Sequence, residues 1–218
     1  MQVIKKEVKV VSQRILANVS EKFAEAYQLP EGHRSVGFFA TDNDDIGYIA
    51  ADDATKKADI KVVHAQTLYG GRRYKNSTYT GTVFVMISGP KVQDVRSGMR
   101  YIKEFVETKS ELYSFDDDPG LAYYAQTIPR AGKFFQEWLG IPEGQAYTYL
   151  VGAPVETTFA LDQALKAGNT KMAHFWAPPT HANSTGAVLT GTESACRAAT
   201  TAFIKALEEV SLNPVQLS

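Results

Sequence analysis

The chain has 218 residues, of which 44% are hydrophobic and 22% charged, and its formal net charge is −1. This length is enough for two domains of ordinary size. A charge so close to neutral argues against nucleic acid and anionic membrane surfaces as partners, because both bind basic surfaces. The one cysteine, Cys196, cannot form an internal disulfide, and we find no signal peptide and no membrane-spanning apolar run. We therefore expect a protein of the reducing cytoplasm.

The first predicted elements are a strand within residues 8–19 and a helix that follows Ser20, a favourable N-cap. The stretch 34–63 then indicates a buried strand, an acidic turn, a short helix and a second strand. The strand ends where four side chains that favour turns follow one another, and these include Asp44 and Asp45. We name residues 42–45 the acidic elbow.

The helix of this stretch is predicted over residues 50–57, with Asp52 and Asp53 at its start, where the helix dipole favours negative charge. The second strand is predicted over residues 60–63, which are rich in β-branched side chains. Residues 65–79 contain adjacent glycines, cations and tyrosines without a regular period, and they indicate a long polar loop. Long loops in compact domains are often functional.

The later elements follow the same patterns of apolar spacing and turn residues. We predict a strand over 83–87, a helix from Pro90 to Val106, an acidic linker over 107–120, a strand over 121–128, helices over 133–139 and 194–210, and a second loop over 177–185.

The stretch 34–63 recurs. Residues 146–175 show the same order of strand, turn, helix and strand, and near-identical tetrapeptides, LPEG at 29–32 and IPEG at 141–144, precede the two copies. The offset between matching landmarks drifts only from about 112 to about 102 residues. We interpret the chain as two tandem copies of one domain, 1–112 and 113–218; one large α/β domain with similar crossovers is the alternative.

Signatures of catalysis and of cofactor binding are absent from the sequence, so no catalytic residue, cofactor or metal site is predicted. Cys196 is interpreted as a buried structural thiol, and the four histidines are scattered. Asp44 and Asp45, with Glu156 at the equivalent elbow of the second copy, would favour a bound cation, either an amine or a metal. The alternative is that these carboxylates cap a turn and face water.

Short strings over nearly the whole chain match one known family in register. They include RSVG at 34–37, DNDD at 42–45, YIAAD at 48–52, PVE at 154–156, APP at 177–179 and LTG at 189–191. In these strings the chain resembles the tandem-domain shell proteins of bacterial microcompartments, most closely their ethanolamine-utilisation type.

The resemblance implies an α/β fold, more closely an α+β sandwich, in which each half is a circularly permuted, ferredoxin-like shell domain. It implies a structural role without enzymatic activity, in a shell that homotrimers of pseudo-hexagonal outline build together with other shell proteins. Two loops, 66–79 and 177–185, would meet near the threefold axis and form a gated central pore for metabolites or cofactors. The pore residues implied in this way are Leu68, Tyr69, Gly70, Gly71, Arg72, Pro178, Pro179, Thr180, His181 and Asn183.

The resemblance also implies a small amine ligand, such as ethanolamine, at the acidic elbows. The residues implied are Asp44, Asp45, Thr82, Leu112 and Glu156. Relatives tend to carry a glutamate where this chain has Thr82 and an aromatic residue where it has Leu112. Both differences weaken the attraction for a cation, so a microcompartment for a related amine or alcohol is a second option. A small-molecule-sensing regulatory module and a carboxylate enzyme with a metal stay open as alternatives.

Overall fold

A computed structural model gives the structure of the protein and describes residues 1–68, 81–178 and 180–215. Antiparallel sheets and helices alternate along the chain, so the α/β class predicted from the sequence is confirmed. The chain divides into two compact units. The N-terminal unit contains residues 7–110 and 132–138, and the C-terminal unit contains residues 1–6, 111–131 and 139–218.

The described elements are numbered in chain order. The strands are β1 (Val3–Lys5), β2 (Val10–Leu16), β3 (Ser35–Thr41), β4 (Lys61–Leu68), β5 (Thr82–Gly89), β6 (Leu112–Phe115), β7 (Ala122–Ile128), β8 (Ala146–Gly152), β9 (Lys171–Trp176) and β10 (Thr185–Gly191). The α-helices are α1 (Glu21–Ala26), α2 (Asp44–Thr55), α3 (Val92–Glu104), α4 (Lys133–Leu139), α5 (Pro154–Ala167) and α6 (Glu193–Leu212). A π-helical turn, Phe105–Lys109, continues α3, and a 3-10 turn, Pro119–Leu121, precedes β7.

The N-terminal unit is built on a four-stranded antiparallel sheet with the order β2-β3-β5-β4. Helix α3 lies against the face of β3 that carries Gly37, because a Cβ at Gly37 would lie 2.8 Å from Met99. Val36 points to the other face, since neighbouring strand residues alternate. There it packs in one cluster with Met86 and with Phe23 of α1. The sheet therefore has helices on both faces.

The C-terminal unit is built on a six-stranded antiparallel sheet with the order β1-β6-β7-β8-β10-β9. Its core joins the sheet to α5 and α6 through fully buried side chains that include Leu150, Leu189, Ala160 and Phe203. Burying side chains of this size contributes about 1.5–3 kcal/mol each. Helices α5 and α6 are therefore held to the sheet by apolar packing.

The repeat is visible in the pairing of the strands. Ser35 of β3 faces Gly89 of β5, and Ala146 of β8 faces Gly191 of β10 in the same way. The edge strands β4 and β9 both carry an irregularity just before a histidine, His64 or His174. Such shared irregularities support a common origin for the two halves.

Two equivalent positions, one at a strand end and one in the helix that follows, carry threonine and glycine in the first half and glycine and threonine in the second. In the first half a Cβ at Gly47 of α2 would lie 2.6 Å from Oγ1 of Thr41 at the end of β3. In the second half a Cβ at Gly152, at the end of β8, would lie 2.8 Å from Oγ1 of Thr157 in α5. One side chain fills the space between strand end and helix in each half, so the packing is kept while the sequences differ.

Two predicted loops are partly strands. Residues 65–68 belong to β4, because they pair with β5 as far as Leu68 opposite Thr82; the rest of that predicted loop, from residue 69, lies outside the described residues. The predicted linker 107–120 contains β6, which pairs with β1 across more than a hundred residues of sequence. The prediction of irregular structure at residues 65–68 and 112–115 was therefore wrong. No described helix is long and apolar enough to span a membrane.

Candidate functional site

The acidic elbow leads directly into a helix, and its last two residues belong to the first turn of that helix. Helix α2 begins at Asp44, and its N-cap Asn43 accepts a hydrogen bond from the backbone N–H of Ile46 through Oδ1 at 2.9 Å. Asp44 and Asp45 therefore lie where the helix dipole stabilises negative charge. The predicted helix start at residue 50 was wrong, and so was the interpretation of residues 44 and 45 as part of a turn.

Glycine and aspartate made the start of α2 hard to recognise, because both have low helix propensity. Gly47 is nonetheless required in this helix, since a Cβ there would lie 2.2 Å from Cγ1 of Val83. Asp52 and Asp53, predicted at the start of the helix, lie in its second half instead. The preference for acidic residues at a helix start thus holds for Asp44 and Asp45, and it was wrongly applied to Asp52 and Asp53.

The carboxylates of the elbow are buried, and their surroundings are polar. Asp44 and Asp45 are only 5% and 7% exposed. Thr67 of β4 donates its hydroxyl to Oδ2 of Asp44 at 3.0 Å, and the Thr67 and Tyr48 hydroxyl oxygens lie 2.9 Å apart. Burial raises the pKa of Tyr48 to about 12, so its phenol stays protonated at physiological pH. The arrangement places one buried carboxylate next to two hydroxyl groups.

An aromatic surface adjoins this polar group. The Tyr48 ring lies 5.3 Å from the ring of Trp138, which in turn stacks on Phe134 at 5.3 Å. Trp138 is 42% exposed, so part of its face is open to solvent. Aromatic faces attract organic cations, and carboxylates attract them more strongly. The N-terminal unit thus combines the two features that recognise an amine.

The predicted ligand residues are divided between the two units. Asp44, Asp45 and Thr82 lie together in the N-terminal unit, where the Asp44 backbone N–H donates to the carbonyl of Gly81 at 2.9 Å. Leu112 and Glu156 lie in the C-terminal unit, Leu112 buried in β6 and Glu156 half-buried in the first turn of α5. Each acidic group thus occupies the first turn of the equivalent helix in its own half.

Thr82 and Leu112 have structural partners of their own. The Thr82 hydroxyl donates to the carbonyl oxygen of Leu68 at 3.3 Å, across the β4–β5 pair. Leu112 is 1% exposed and lies opposite Tyr124 in the six-stranded sheet. Both residues therefore contribute to the local packing and pairing of strands.

The predicted pore residues fall at the ends of β4 and β9. Leu68 is the last residue of β4, while Tyr69, Gly70, Gly71, Arg72 and Pro179 lie outside the described residues. In the second loop the Thr180 hydroxyl accepts hydrogen bonds from the backbone N–H groups of Ala182 at 3.3 Å and Ser184 at 3.0 Å. This turn leaves Pro178, His181 and Asn183 exposed to solvent.

The described residues contain no group of three or more His, Cys, Asp or Glu side chains that could hold a metal ion. His64 lies against the rings of Tyr27 and Phe84, and His174 against Trp176. Cys196 is fully buried, and burial raises the pKa of its thiol to about 11, which disfavours the reactive thiolate. The interpretation of Cys196 as a buried structural thiol is confirmed.

Sequence reasoning missed a buried carboxylate that caps another helix. Asp52 is fully buried, and its Oδ2 accepts from the N–H of Gly132 at 2.8 Å, while its Oδ1 accepts from the N–H of Phe135 at 2.8 Å. Thr55 accepts from the N–H of Lys133 at 2.9 Å through its Oγ1. These bonds satisfy the free N–H groups at the start of α4, which would otherwise be costly to bury. The available signal was Gly132 itself, which stands where the first copy has the N-cap Ser20.

Comparison with known proteins places this chain in a family. Residues 35–116 match the model of the BMC domain. The bacterial microcompartment shell protein EutL of Clostridium perfringens is 40% identical over 206 residues, which is 94% of this chain and 95% of that protein. The chain belongs to the EutL family of bacterial microcompartment shell proteins. The crystal structure of the ethanolamine utilization protein EutL from Leptotrichia buccalis is 36% identical and covers 100% of both chains with a TM-score of 0.93.

Membership of the EutL family decides several predictions. The chain is a structural component of a microcompartment shell, so the predicted family, shell location and lack of enzymatic role are confirmed. A trimeric microcompartment shell protein, PduB, shares the fold with a TM-score of 0.78 over 94% of this chain and 89% of that one, at 18% identity. Tandem shell domains with this α/β fold are therefore confirmed too. The family supports neither the enzyme nor the regulatory module.

Proposed function

We propose that this EutL-type chain forms a homotrimer of pseudo-hexagonal outline that tiles, with other shell proteins, the shell of a microcompartment for ethanolamine or a related amine or alcohol. Each chain would contribute two shell domains, 1–112 and 113–218. The EutL relative from Leptotrichia buccalis is an ethanolamine utilization protein, which supports the pathway. PduB, which shares the fold, is a trimeric shell protein, and this supports the assembly.

The apolar side chains exposed on α5 are the observation that carries this proposal. Val155, Phe159 and Leu165 are 70%, 42% and 37% exposed. The equivalent helix α2 has every residue buried. Large apolar side chains exposed together on one helix mark an interaction surface. In a protein that works by tiling, a second copy is the natural occupant of that surface.

Light scattering on the purified protein, followed by negative-stain electron microscopy of concentrated samples, tests the assembly. We expect the mass of three chains and sheets or hexagonally packed arrays. Phe159→Lys should reduce the mass towards one chain while leaving the circular dichroism unchanged, because its side chain is partly exposed in the single chain. Thr201→Lys, on the exposed face of α6, is the matched control and should remain trimeric. A wild-type monomer without lattice order would overturn the proposal.

The same proposal assigns the pore to the loops that follow β4 and β9. Each loop connects the edge strand of a sheet to its neighbour, β4 to β5 and β9 to β10, and pseudo-symmetry would bring both loops to the trimer axis. Asn183 and His181 are exposed in the described part of the second loop. Changing Asn183 to Asp would place three carboxylates near the axis. We expect greater cation selectivity of reconstituted channels in planar bilayers, and an unchanged selectivity would contradict the assignment.

A small amine such as ethanolamine is proposed as the ligand of the acidic elbow. Its support is the neighbourhood of Asp44 and Asp45, in which hydroxyl groups and the Tyr48 and Trp138 rings adjoin buried carboxylates. Calorimetric titration with ethanolamine should show binding that Asp45→Asn abolishes, since the change removes one charge and keeps the shape. The matched control is Asp162→Asn on α5. Equal binding by wild type and Asp45→Asn would contradict this ligand site.

A further inference from the structure

The internal repeat gives α2 and α5 equivalent residues. The pattern Ala-x-Asp-x-Ala occurs at residues 50–54 in α2 and at 160–164 in α5, so Asp162 is the counterpart of Asp52. The two tetrapeptides likewise align residues 20–26, which contain α1, with residues 132–138, which contain most of α4. If both halves used their surfaces in the same way, Asp162 would cap an α1 segment as Asp52 caps α4.

In the N-terminal unit, the 132–138 segment covers α2 closely. Asp52 accepts two backbone hydrogen bonds from this segment, and a Cβ added at Gly132 would lie 2.1 Å from the backbone oxygen of Asp52. Only glycine allows the two backbones to approach so closely. The tilted rings of Tyr48 and Trp138, 5.3 Å apart, extend the contact. The 132–138 segment and α2 thus satisfy each other's buried polar groups.

The counterparts of these polar groups, Ser20 and Asp162, form their hydrogen bonds and ion pairs within their own helices. Ser20 caps α1 with its own hydroxyl, which accepts from the N–H of Phe23 at 3.3 Å, and Phe23 is the counterpart of Phe135. Asp162 is exposed and forms an ion pair with Lys166, one turn later on the same helix. Neither surface therefore presents a buried polar group that requires the other.

We propose that the exposed face of α5 binds the α1 segment of a second copy, through an apolar contact without a buried carboxylate cap. This inference rests on the proposed trimer. The repeat identifies the occupant, because residues 20–26 correspond to the segment that covers α2. The Ser20 side chain sets the geometry: its Cβ prevents the close approach that Gly132 permits, so α1 lies farther from α5 than α4 lies from α2.

The contact would therefore join two surfaces whose polar groups already have partners within each single chain. Val155, Phe159 and Leu165 supply apolar area on α5. On the other copy, Phe23 of α1 and the following Tyr27 offer only their exposed parts, because both also pack with Val36 and Met86 in their own unit. A contact of this kind forms after the chain has folded and dissociates without unfolding it. The Asp52 cap, by contrast, forms part of the fold of one chain. Assembly of the shell layer is then separable from folding.

Chemical cross-linking tests the occupant. Cys196 is fully buried, so cysteines introduced at the surface are the accessible thiols. Glu21→Cys with Leu165→Cys places thiols at the counterparts of Lys133 and Thr55, which bond in the N-terminal unit. A short bismaleimide should convert this double variant to covalent trimers on denaturing gels. Glu21→Cys with Thr201→Cys is the control and should remain single-chain.

The outcomes separate this inference from the proposed function. A trimer mass by light scattering without cross-linking of Glu21→Cys/Leu165→Cys overturns the α1–α5 contact and leaves the trimer standing. A monomer mass overturns both. The absence of a cap is tested with Asp162→Ala, which should change the trimer dissociation constant by less than about threefold. A loss of tenfold or more, about 1.4 kcal/mol, would mean that Asp162 caps the neighbouring copy after all.

Discussion

Helices α2 and α5 carry an aspartate at equivalent positions, and the two side chains have opposite surroundings. Asp52 is fully buried and holds the start of α4 by two backbone hydrogen bonds. Asp162 is exposed and pairs only along its own helix among the contacts described. A charge–backbone bond in a buried place is worth more than a surface ion pair, since the N–H groups have no water to return to. The comparison shows that a repeated residue need not keep its energetic role.

The largest difference is expected between Asp52→Ala and Asp162→Ala. Removing the Asp52 carboxylate leaves two buried N–H groups without an acceptor, so the free energy of unfolding should fall by about 3 kcal/mol or more. Asp162→Ala should change it by no more than about 0.5 kcal/mol. Urea unfolding followed by fluorescence measures both. Similar losses for the two variants would contradict the assignment of a buried cap to Asp52 alone.

A somewhat smaller effect is expected at the other side of the cap. Gly132→Ala places a methyl group 2.1 Å from the Asp52 backbone oxygen, so the segment must shift away and the free energy of unfolding should fall by about 2 kcal/mol. The counterpart change Ser20→Gly removes only a side-chain cap and should lower it by a few tenths of a kcal/mol. Denaturant titrations of the two single variants give the comparison. A tolerated alanine at residue 132 would disprove the close approach.

The pH dependence of stability distinguishes the two helices further. Burial acts to raise the pKa of Asp53, but hydrogen bonds from Lys56 and Lys57 outweigh it, and the pKa of the carboxyl is lowered from its ordinary 3.8. A lowered folded-state pKa stabilises the fold above the ordinary value, and this contribution is lost as the pH falls through the lowered pKa. Asp53→Asn should therefore reduce the thermal midpoint at pH 7.

The gap in thermal midpoint between wild type and Asp53→Asn should then narrow as the pH falls below the ordinary value of 3.8 and through the lowered pKa, as the wild-type carboxylate becomes protonated. The second half has Gln163 at this position, so Gln163→Ala serves as a control whose effect should not vary with pH. A gap that is constant or grows on acidification would show that Asp53 is stabilised by something other than its charge.

Much of the fold could be predicted because its signals are local. The apolar runs of β3, β5 and β8, the N-cap Ser20 and the whole of α4 agree with the sequence interpretation. The repeat is visible in the order of short sequence patterns, and the resemblance to the family, based on separate strings, agrees with it. Local signals of this kind need only a few neighbouring residues to be correct.

The remaining features depend on contacts that sequence patterns do not contain. Strand β1 pairs with β6 between residues 3 and 115, and Asp52 bonds Gly132 across 80 residues. The start of α2 could not be recognised because Gly47 is a residue type that usually interrupts helices. Its presence is required by the close packing of Val83 from a distant strand. The candidate amine site has the same character: Asp44 and Asp45 could be selected from the sequence, whereas Tyr48, Thr67 and Trp138 required the packed structure.

Hydrogen exchange of the amides of α2 and α5, measured by mass spectrometry at two protein concentrations, tests the central claim most directly. At the concentration of the trimer, peptides covering residues 154–167 and 20–26 should exchange more slowly than in the dilute, dissociated chain. Peptides covering residues 44–55 should exchange equally slowly in both, because the chain's own 132–138 segment covers α2. Equal exchange of α5 at both concentrations, in samples whose masses confirm trimer and monomer, would contradict the account.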